Sequence, residues 1–395
     1  MNEFETFRRH AIDVIEAREL EARLAKARAA KKPLRIKFGM DPSSPDLHVG
    51  HAVQLLRLRA FQQQGHQIVL IVGDATAMVG DPSGRNKLRP QLSREDVERN
   101  LVTYTEQAAR VLDMSKTEVH RNSEWFDAMR FEDVLRLAGK STVARMLERD
   151  TFEKRMEAKE PIGVHEFLYP LMQGWDSVMI RCDVETGGSD QLFNLLVGRE
   201  LQEKEGQAPQ ICMTFPLING LDGRKMSKSY GNSIGLTESA HDMFGKVMSL
   251  ADEVMKSWFE LLTPLEDAAI AALLAGHPRE AKARLGEEIA GFYHGADAAR
   301  EARAAFDRQF RDKETPQDVP EIDYSTSGFP VAGVPLMVFL RDCGLAASST
   351  EAKQKILERS VSIDGTVIPD PKYLITKPTQ TMLIKYGKRH YRRLR

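Results

Sequence analysis

The chain has 395 residues, enough for two or three domains at roughly 150 residues each. Lys plus Arg total 56 and Asp plus Glu 57, a formal charge of −1, which excludes a uniformly basic nucleic-acid coat or an acidic tail protein and makes any polyanion site local. No apolar run approaches the roughly 18 residues of a membrane span, and Cys182, Cys212 and Cys343 form no C-x-x-C pair, so a soluble, cytoplasmic chain without a disulfide framework or a Cys-rich zinc site is expected.

The first 30 residues mix acidic and basic side chains without an apolar targeting core, and predict an amphipathic helix. Leu34–Gly39 alternates like a strand and Ile68–Gly73 is a short β-branched run. Between them Val49, Val53, Leu56 and Ala60 keep helical spacing until Gly65, so 34–73 reads as one βαβ unit. A second strand-to-helix junction follows at Arg181–Thr186, Gly187-Gly188 and Gln191–Leu201. The pattern predicts a doubly wound α/β domain over 1–233, with ligands bound beyond the carboxyl ends of its strands.

From about Leu236 to Phe310 the composition turns to Ala, Glu, Arg and Leu, with Glu266–Leu274 and Ala298–Phe310 as helices, so 234–312 is expected to be an α-helical domain. Residues 313–333 carry Pro316, Pro320, Pro330, Gly328 and Gly333, the composition of a linker. In 334–395 twelve Lys and Arg face five acids, a local charge of +7. A helix near Ser349–Arg359 leads there into Val361–Ile363, Asp364-Gly365 and Thr366–Ile368, a tight-hairpin signal. This small basic α/β module is either a reader of phosphate backbones or a solvated basic tail.

Neither a Walker-type phosphate loop nor the G-x-G-x-x-G dinucleotide fingerprint is present. At the first strand-to-helix junction stands His48-Val49-Gly50-His51. Two imidazoles on the first turn of a helix can address one anion beside the free N–H groups, and Gly50 lets a flat base approach the backbone. Far downstream Lys225-Met226-Ser227-Lys228-Ser229 is a short basic loop that alone could be a solvated turn.

Taken together, H-x-G-H and the lysine loop resemble the two signatures of class I aminoacyl-tRNA synthetases, which hold the ATP triphosphate while an aminoacyl-adenylate forms. Tyr169-Pro170-Leu171-Met172-Gln173-Gly174-Trp175-Asp176, Gly187-Gly188-Ser189-Asp190-Gln191 and Gly80-Asp81-Pro82-Ser83-Gly84 resemble segments of the tyrosyl branch, and the basic terminus resembles an S4-like RNA-binding module. The resemblance implies a Rossmann-like catalytic domain in which His48, His51, Lys225 and Lys228 act on the triphosphate. Gly50, Gly188, Asp190, Met226, Ser227, Ser229, Arg85 and Arg89 would complete the ATP site. It further implies Asp41, Asp81, Tyr169, Gln173, Asp176 and Gln191 around tyrosine, with Asp176 accepting from the phenol, and Lys353, Lys388, Arg389, Arg392 and Arg393 on tRNA. ATP with Mg²⁺, L-tyrosine, tRNA(Tyr) and a second copy of the chain are the implied partners, with no metal held by the protein itself and no membrane.

Periodicity by itself gives a different answer for the pocket helix: Leu168, Leu171, Met172, Trp175 and Val178 share one face, and Tyr169, Gln173 and Asp176 fall on what reads as the solvent face. Single aspartates at loop starts can equally be helix caps. Lys37 stands where many members have a tyrosine that touches the substrate hydroxyl, so it can donate to that oxygen, pair with Asp176 or point away. Gln54 likewise replaces a smaller threonine near the ribose. A tryptophan-specific relative, a nucleotidyltransferase without tRNA and a non-catalytic RNA-binding descendant are the rival readings.

Overall fold

The computed structural model describes residues 2–42, 46–83, 93–227, 230–310, 319–387 and 390–395. The chain forms two compact units, Met1–Arg303 and Ala304–Arg395.

The first unit is built on a six-stranded sheet of β1 (Asp13–Ile15), β2 (Arg35–Met40), β3 (Gln67–Val72), β4 (Thr117–Arg121), β5 (Val184–Gly188) and β6 (Ile211–Phe215), in the order β1-β6-β5-β2-β3-β4. All neighbours pair in parallel except β1, which runs antiparallel along β6. β3 and β5 are buried almost throughout, as strands covered by helices on both faces must be. From β2 the chain builds outward through β3 and β4, then returns to place β5 on the other side of β2. That reversal opens a crevice at the carboxyl ends of β2 and β5.

The helices that matter to this crevice are α1 (Glu3–Arg8), α2 (Ala17–Ala30), α3 (Val49–Gln63), α4 (Asp74–Val79), α5 (Leu168–Met179) and α6 (Leu192–Lys204). α1 and α2 replace the single amino-terminal helix expected from the sequence. Left-handed backbone at His10 (φ 61°) and Glu16 (φ 64°) interrupts the helix, and the β-branched Val14-Ile15 between them is taken as an edge strand by β6. Gly187 and Gly188, expected at the turn, are the last residues of β5 itself.

α5 and α6 approach at Gly174 and Gly198: a Cβ on Gly174 would lie 2.9 Å from the Gly198 amide nitrogen and 3.0 Å from its Cα. Only glycine lets the helices meet this closely, and the crossing fixes the height of α5 over the sheet. The helical segment after residue 234 shares the sheet's hydrophobic core, with Met243, Trp258, Phe259 and Leu285 fully buried among residues of β2, β3 and α3. The helical segment accordingly lies in the first compact unit, which extends to Arg303.

The second unit has its own core of Leu336, Phe339, Leu340, Ile356, Ile384 and Leu394. Its five-stranded sheet is ordered β10 (Thr366–Val367), β9 (Val361–Ile363), β12 (Met382–Tyr386), β13 (His390–Leu394), β7 (Glu321–Ile322); β8 (Val334–Pro335) and β11 (Leu374–Ile375) form a separate ladder. The Asp364-Gly365 hairpin is present, with positive φ at both central residues, as a primed turn requires. Part of the proline-rich stretch read as linker is built into this unit. β7 pairs with β13, and the Tyr324 hydroxyl donates to the carbonyls of Pro330 (2.8 Å) and Ile375 (3.2 Å).

Gly174→Ala forces the α5–α6 crossing apart, and overpacking of this kind costs about 1–3 kcal/mol. Thermal unfolding should show a lowered midpoint for this variant, while Gly206→Ala, whose Cβ meets no atom within 4 Å and whose cost is only the left-handed φ of 69°, loses less.

Candidate active site

The crevice holds a cavity of about 650 Å³ between β2, β5, α3, α4 and α5. α5 turns Tyr169, Gln173 and Asp176 into it, while Leu171 and Val178 pack against Val197 and Leu201 of α6. The polar face of this helix is interior: Tyr169 and Asp176 are 5% and 3% exposed. Periodicity distinguishes an apolar from a polar face but not a solvent-facing from a cavity-facing one, so the sequence pattern alone pointed outward.

Each polar group on this face is held by a partner. The Tyr169 hydroxyl donates to Asp41 Oδ2 at 2.7 Å, and the Thr76 hydroxyl donates to Oδ1 at 2.8 Å. Burial, then the charge of Asp41, push the Tyr169 phenol well above its ordinary value, so it stays a donor. At the deep end Trp125 Nε1 donates to Asp176 Oδ1 at 2.9 Å and Asn122 Nδ2 lies 3.4 Å from Oδ2. Burial raises this carboxyl from 3.8 to about 7 against the pull of the Lys37 ammonium and the two donors. Nothing in the sequence singled out Trp125 or Asn122, because an isolated Trp or Asn after a strand carries no spacing signal.

Lys37 does not line the cavity. It is fully buried behind it, with its ammonium 2.9 Å from Glu185 Oε1, 2.7 Å from the Gln173 carbonyl and 2.8 Å from the Ser177 hydroxyl. Of the three expectations for Lys37 the structure realises pointing away, with Glu185 and not Asp176 as its hydrogen-bonded partner. Burial alone would lower this ammonium; the charges of Glu185 and Asp176 outweigh it and hold the group above its usual value.

At the other end Asp81 is wrapped by donors: Ser83 N at 2.8 Å, the Ser83 hydroxyl, Gln191 Nε2 at 2.9 Å and Arg149 Nη2 at 3.3 Å. Arg149 is 3% exposed and was invisible as a lone Arg between short helices. Asp190 also faces the cavity. Burial first, and Asp81 next, raise its carboxyl, with Lys225 opposing. Gly188 is needed beneath it, since a Cβ there would lie 2.7 Å from Asp190 Oδ1.

The imidazole pair caps α3. His48 has extended backbone and its Nδ1 accepts from Gly50 N at 3.1 Å, while His51 Nδ1 accepts from His48 N at 3.1 Å. These two bonds place the ring proton of each neutral imidazole on Nε2, and the rings lie 4.0 Å apart. The lysine-loop segment meets this turn. A Cβ on Gly50 would lie 2.9 Å from the His48 ring and 3.1 Å from Met226 Sδ, and His48 forms a β-bridge with Gly235. Ser227 N donates to Asn232 Oδ1 at 2.8 Å. Gln54 faces the cavity with a buried amide oxygen that has no hydrogen-bond partner among the described residues. Arg85, Arg89, Lys228 and Ser229 lie outside the described residues, as do Lys388 and Arg389 of the second unit.

In the second unit Lys353 is exposed, and Arg392 and Arg393 are half-buried neighbours on β13. Adjacent strand residues point to opposite faces. Arg393 therefore shares a face with Lys385 and Tyr391, whereas Arg392 lies beside Ile384 on the other.

The first unit thus brings the buried Asp176 carboxyl and the His51 imidazole to one cavity, with the Lys225 ammonium near enough to act on Asp190, a set suited to a ligand with a hydroxyl at one end and an oxyanion at the other. Comparisons with known proteins identify the relatives of the chain. A family described as tRNA synthetases class I (W and Y) matches residues 29–311. The chain is 46% identical over 394 residues to a tyrosine–tRNA ligase of Geobacter sulfurreducens, covering 98% of this chain and 97% of the relative. It is 47% identical over 401 residues to a tyrosine–tRNA ligase of Oleidesulfovibrio alaskensis, covering 99% and 98%. Among solved structures, a C-terminally truncated mitochondrial tyrosyl-tRNA synthetase of Aspergillus nidulans superposes with a TM-score of 0.64 at 25% identity, over 78% of this chain and 93% of that one.

A carboxyl whose folded value is raised from 3.8 to about 7 binds its proton more tightly in the folded chain. Its contribution to stability is complete below about pH 4 and is lost as pH rises through 7, at about 1.4 kcal/mol per pH unit. Thermal unfolding of Asp176→Asn should accordingly gain on the parent chain between pH 5 and 7; parallel pH curves would refute the shift.

Proposed function

We propose that this chain, which belongs to the class I tRNA synthetases of the tryptophan and tyrosine group, is a tyrosine–tRNA ligase that forms tyrosyl-adenylate from L-tyrosine and the magnesium complex of ATP and then esterifies tRNA(Tyr). The observation that carries the reading is the cavity itself, with Asp176 at its closed end and the His48–His51 turn and Lys225 loop at its mouth.

A carboxylate oxygen of tyrosine attacks the α-phosphorus, the bond from that phosphorus to the α,β-bridging oxygen breaks, and pyrophosphate departs. No protein nucleophile is required. Negative charge gathers on the leaving group, and Nε2–H donors from His48 and His51 with the Lys225 and Lys228 ammoniums stabilise it where it develops. Magnesium, which prefers phosphate and water oxygens, enters with the triphosphate. Gly50, Gly188, Asp190, Met226, Ser227, Ser229, Arg85 and Arg89 complete the nucleotide site in this proposal. In the second step a terminal ribose hydroxyl of tRNA attacks the mixed-anhydride carbonyl and AMP leaves.

Tyrosine would lie with its phenol against Asp176 and its ammonium near Asp81, Tyr169 and Gln173, with Asp41 behind Tyr169 and Gln191 toward the carboxylate. Phenylalanine would leave the buried Asp176 oxygens without the phenol donor, which costs about 1–3 kcal/mol or more for a charged acceptor. A tryptophan indole N–H could reach a carboxylate as well, but the nearly full-length similarity to tyrosine–tRNA ligases favours the phenol.

The basic terminus would hold tRNA through Lys353, Lys388, Arg389, Arg392 and Arg393, a salt-sensitive contribution. Phe131, Leu135, Val143 and Val164 are exposed by 56% or more, an apolar surface that fits a second copy of the chain. A cytoplasmic setting belongs to the same proposal; no helix among the described residues is long and apolar enough to cross a membrane.

ATP–pyrophosphate exchange tested with each amino acid should be stimulated by tyrosine alone; stimulation by tryptophan, or by none, rejects the assignment. Lys225→Ala should lower exchange by about 100-fold or more while tyrosine affinity changes little, and equal losses would mean that the loop binds ground states uniformly. A chain ending at residue 310 should keep exchange and lose tyrosyl transfer. Tyrosine affinity should fall as pH drops below about 7, where Asp176 takes up its proton.

A further inference from the structure

Behind the amino-acid cavity lies a charge pair that does not itself line it. Lys37 and Glu185 are 0% and 1% exposed, 2.9 Å apart, and neither lines the cavity. Burying two charges costs more than burying an apolar pair of the same volume, so the pair needs a reason beyond packing.

The hydrogen bonds around it form one connected line, converging on Glu185 and diverging from Asn194. Lys37 spends its three protons on Glu185 Oε1, the Gln173 carbonyl and the Ser177 hydroxyl. Glu185 then accepts from Gln173 Nε2 at 3.1 Å and from the Ser177 hydroxyl at 3.1 Å, and also from Gln210 Nε2. With its nitrogen committed to Glu185, Gln173 turns Oε1 to Asn194 Nδ2 at 2.9 Å, and that same group lies 2.8 Å from Gln191 Oε1. Gln191 is left pointing Nε2 at Asp81 Oδ2 and the Ser83 hydroxyl. Reversing any one amide would set donor against donor or acceptor against acceptor along this line.

The pair also balances charge beneath Asp176, which sits one turn after Gln173 and next to Ser177 on α5. The charged groups that act on Asp176 are Lys37 from β2 and Glu185 from β5, and its other partners, Trp125 and Asn122, are neutral donors. The nearby Cys182 thiol is held neutral by burial. Without the ammonium, Glu185 and Asp176 would face each other as two like charges in a dry site.

We propose that Lys37 is a positioning residue for tyrosine selection: paired with Glu185, it holds Gln173 and Gln191 in one amide orientation and lets Asp176 meet the phenol as a carboxylate. This rests on the tyrosine reading given above.

The test follows the KM for tyrosine in ATP–pyrophosphate exchange by the full-length chain from pH 6 to 9.5. In Lys37→Met the midpoint of the pH profile should rise by about one unit or more, so that KM near neutrality increases about fivefold or more, while kcat at saturating tyrosine changes far less. In Glu185→Gln, which leaves the ammonium unopposed, the midpoint should move the other way. The double variant should bring the midpoint back close to that of the parent chain. Midpoints that stay in place in folded variants, or equal losses in kcat and KM, overturn the proposal. Should Lys37→Met fail to fold, the sign of the Glu185→Gln shift decides alone, and an unmoved or raised midpoint overturns it. A parent chain without tyrosine-dependent exchange would reject the tyrosine reading itself, whereas tyrosine exchange with unmoved midpoints rejects only the role of Lys37.

Discussion

The chemistry depends on one seam, where the segment after the lysine loop is bonded to the start of α3. Val49 N donates to the Ile234 carbonyl at 2.9 Å, and Leu236 N donates to the Leu47 carbonyl at 3.1 Å. Leu47, Val49, Ile234 and Leu236 are all fully buried, so the bonds are shielded from water and the seam is fixed by packing on both sides. Two basic signatures far apart in sequence are thereby brought to one mouth. Gly50 carries no side chain because the Met226 sulfur and the His48 ring already occupy that space. Electrostatic stabilisation of a departing oxyanion works only if its donors are in place beforehand, and this seam puts the imidazole side of that arrangement on a rigid element.

The amino-acid end of the cavity follows the opposite logic. Its groups are enclosed, and enclosure raises the cost of every unbalanced charge. Asp176 and Asp190 are both pushed toward their neutral forms by burial, and the structure counters with the Lys37 ammonium and two neutral donors at one and with Lys225 at the other. Asp41 and Asp81 are instead saturated by hydrogen bonds from Tyr169, Thr76, Ser83, Gln191 and Arg149. Selectivity for a hydroxylated ligand and tolerance of buried carboxyls are the same problem here, solved by the same partners.

Much of this was legible in the sequence, though for unequal reasons. The β-branched run of β3, the helical spacing of α3 and the Asp364-Gly365 turn are local signals, and the corresponding elements are present. The doubly wound sheet with a ligand crevice beyond the carboxyl ends of its strands followed from the βαβ pattern, whereas the strand order came only with the structure. What escaped were residues whose importance is created by tertiary contact. Trp125, Asn122, Arg149 and Glu185 belong to no motif, and only folding brings them to Asp176, Asp81 and Lys37. Tyr169, Gln173 and Asp176 were found by resemblance and would have been misplaced by periodicity. The amino-terminal helix failed because its average composition concealed a two-residue β-branched segment and the left-handed turns at either end of it.

The two units also divide the physical requirements between them. Adenylate chemistry needs a dry cavity with charges in balance, and every described member of that site falls in the first unit. Holding a polyanion needs the reverse, an open surface whose net charge of one sign is sensed through water. The second unit has that charge and a separate core to carry it. Its sheet geometry then limits which cations can act together. Arg393 and Lys385 share one face, with the Lys385 ammonium 5.5 Å from the Tyr391 ring centre, while Arg392 faces the side of Ile384 and Leu394 and bonds to the Tyr391 carbonyl. Two adjacent arginines of β13 that look equivalent in a basic stretch therefore lie on opposite faces of the sheet. Arg393 is half-buried on the face it shares with Lys385, and Arg392, equally half-buried, lies on the face of the fully buried Ile384 and Leu394.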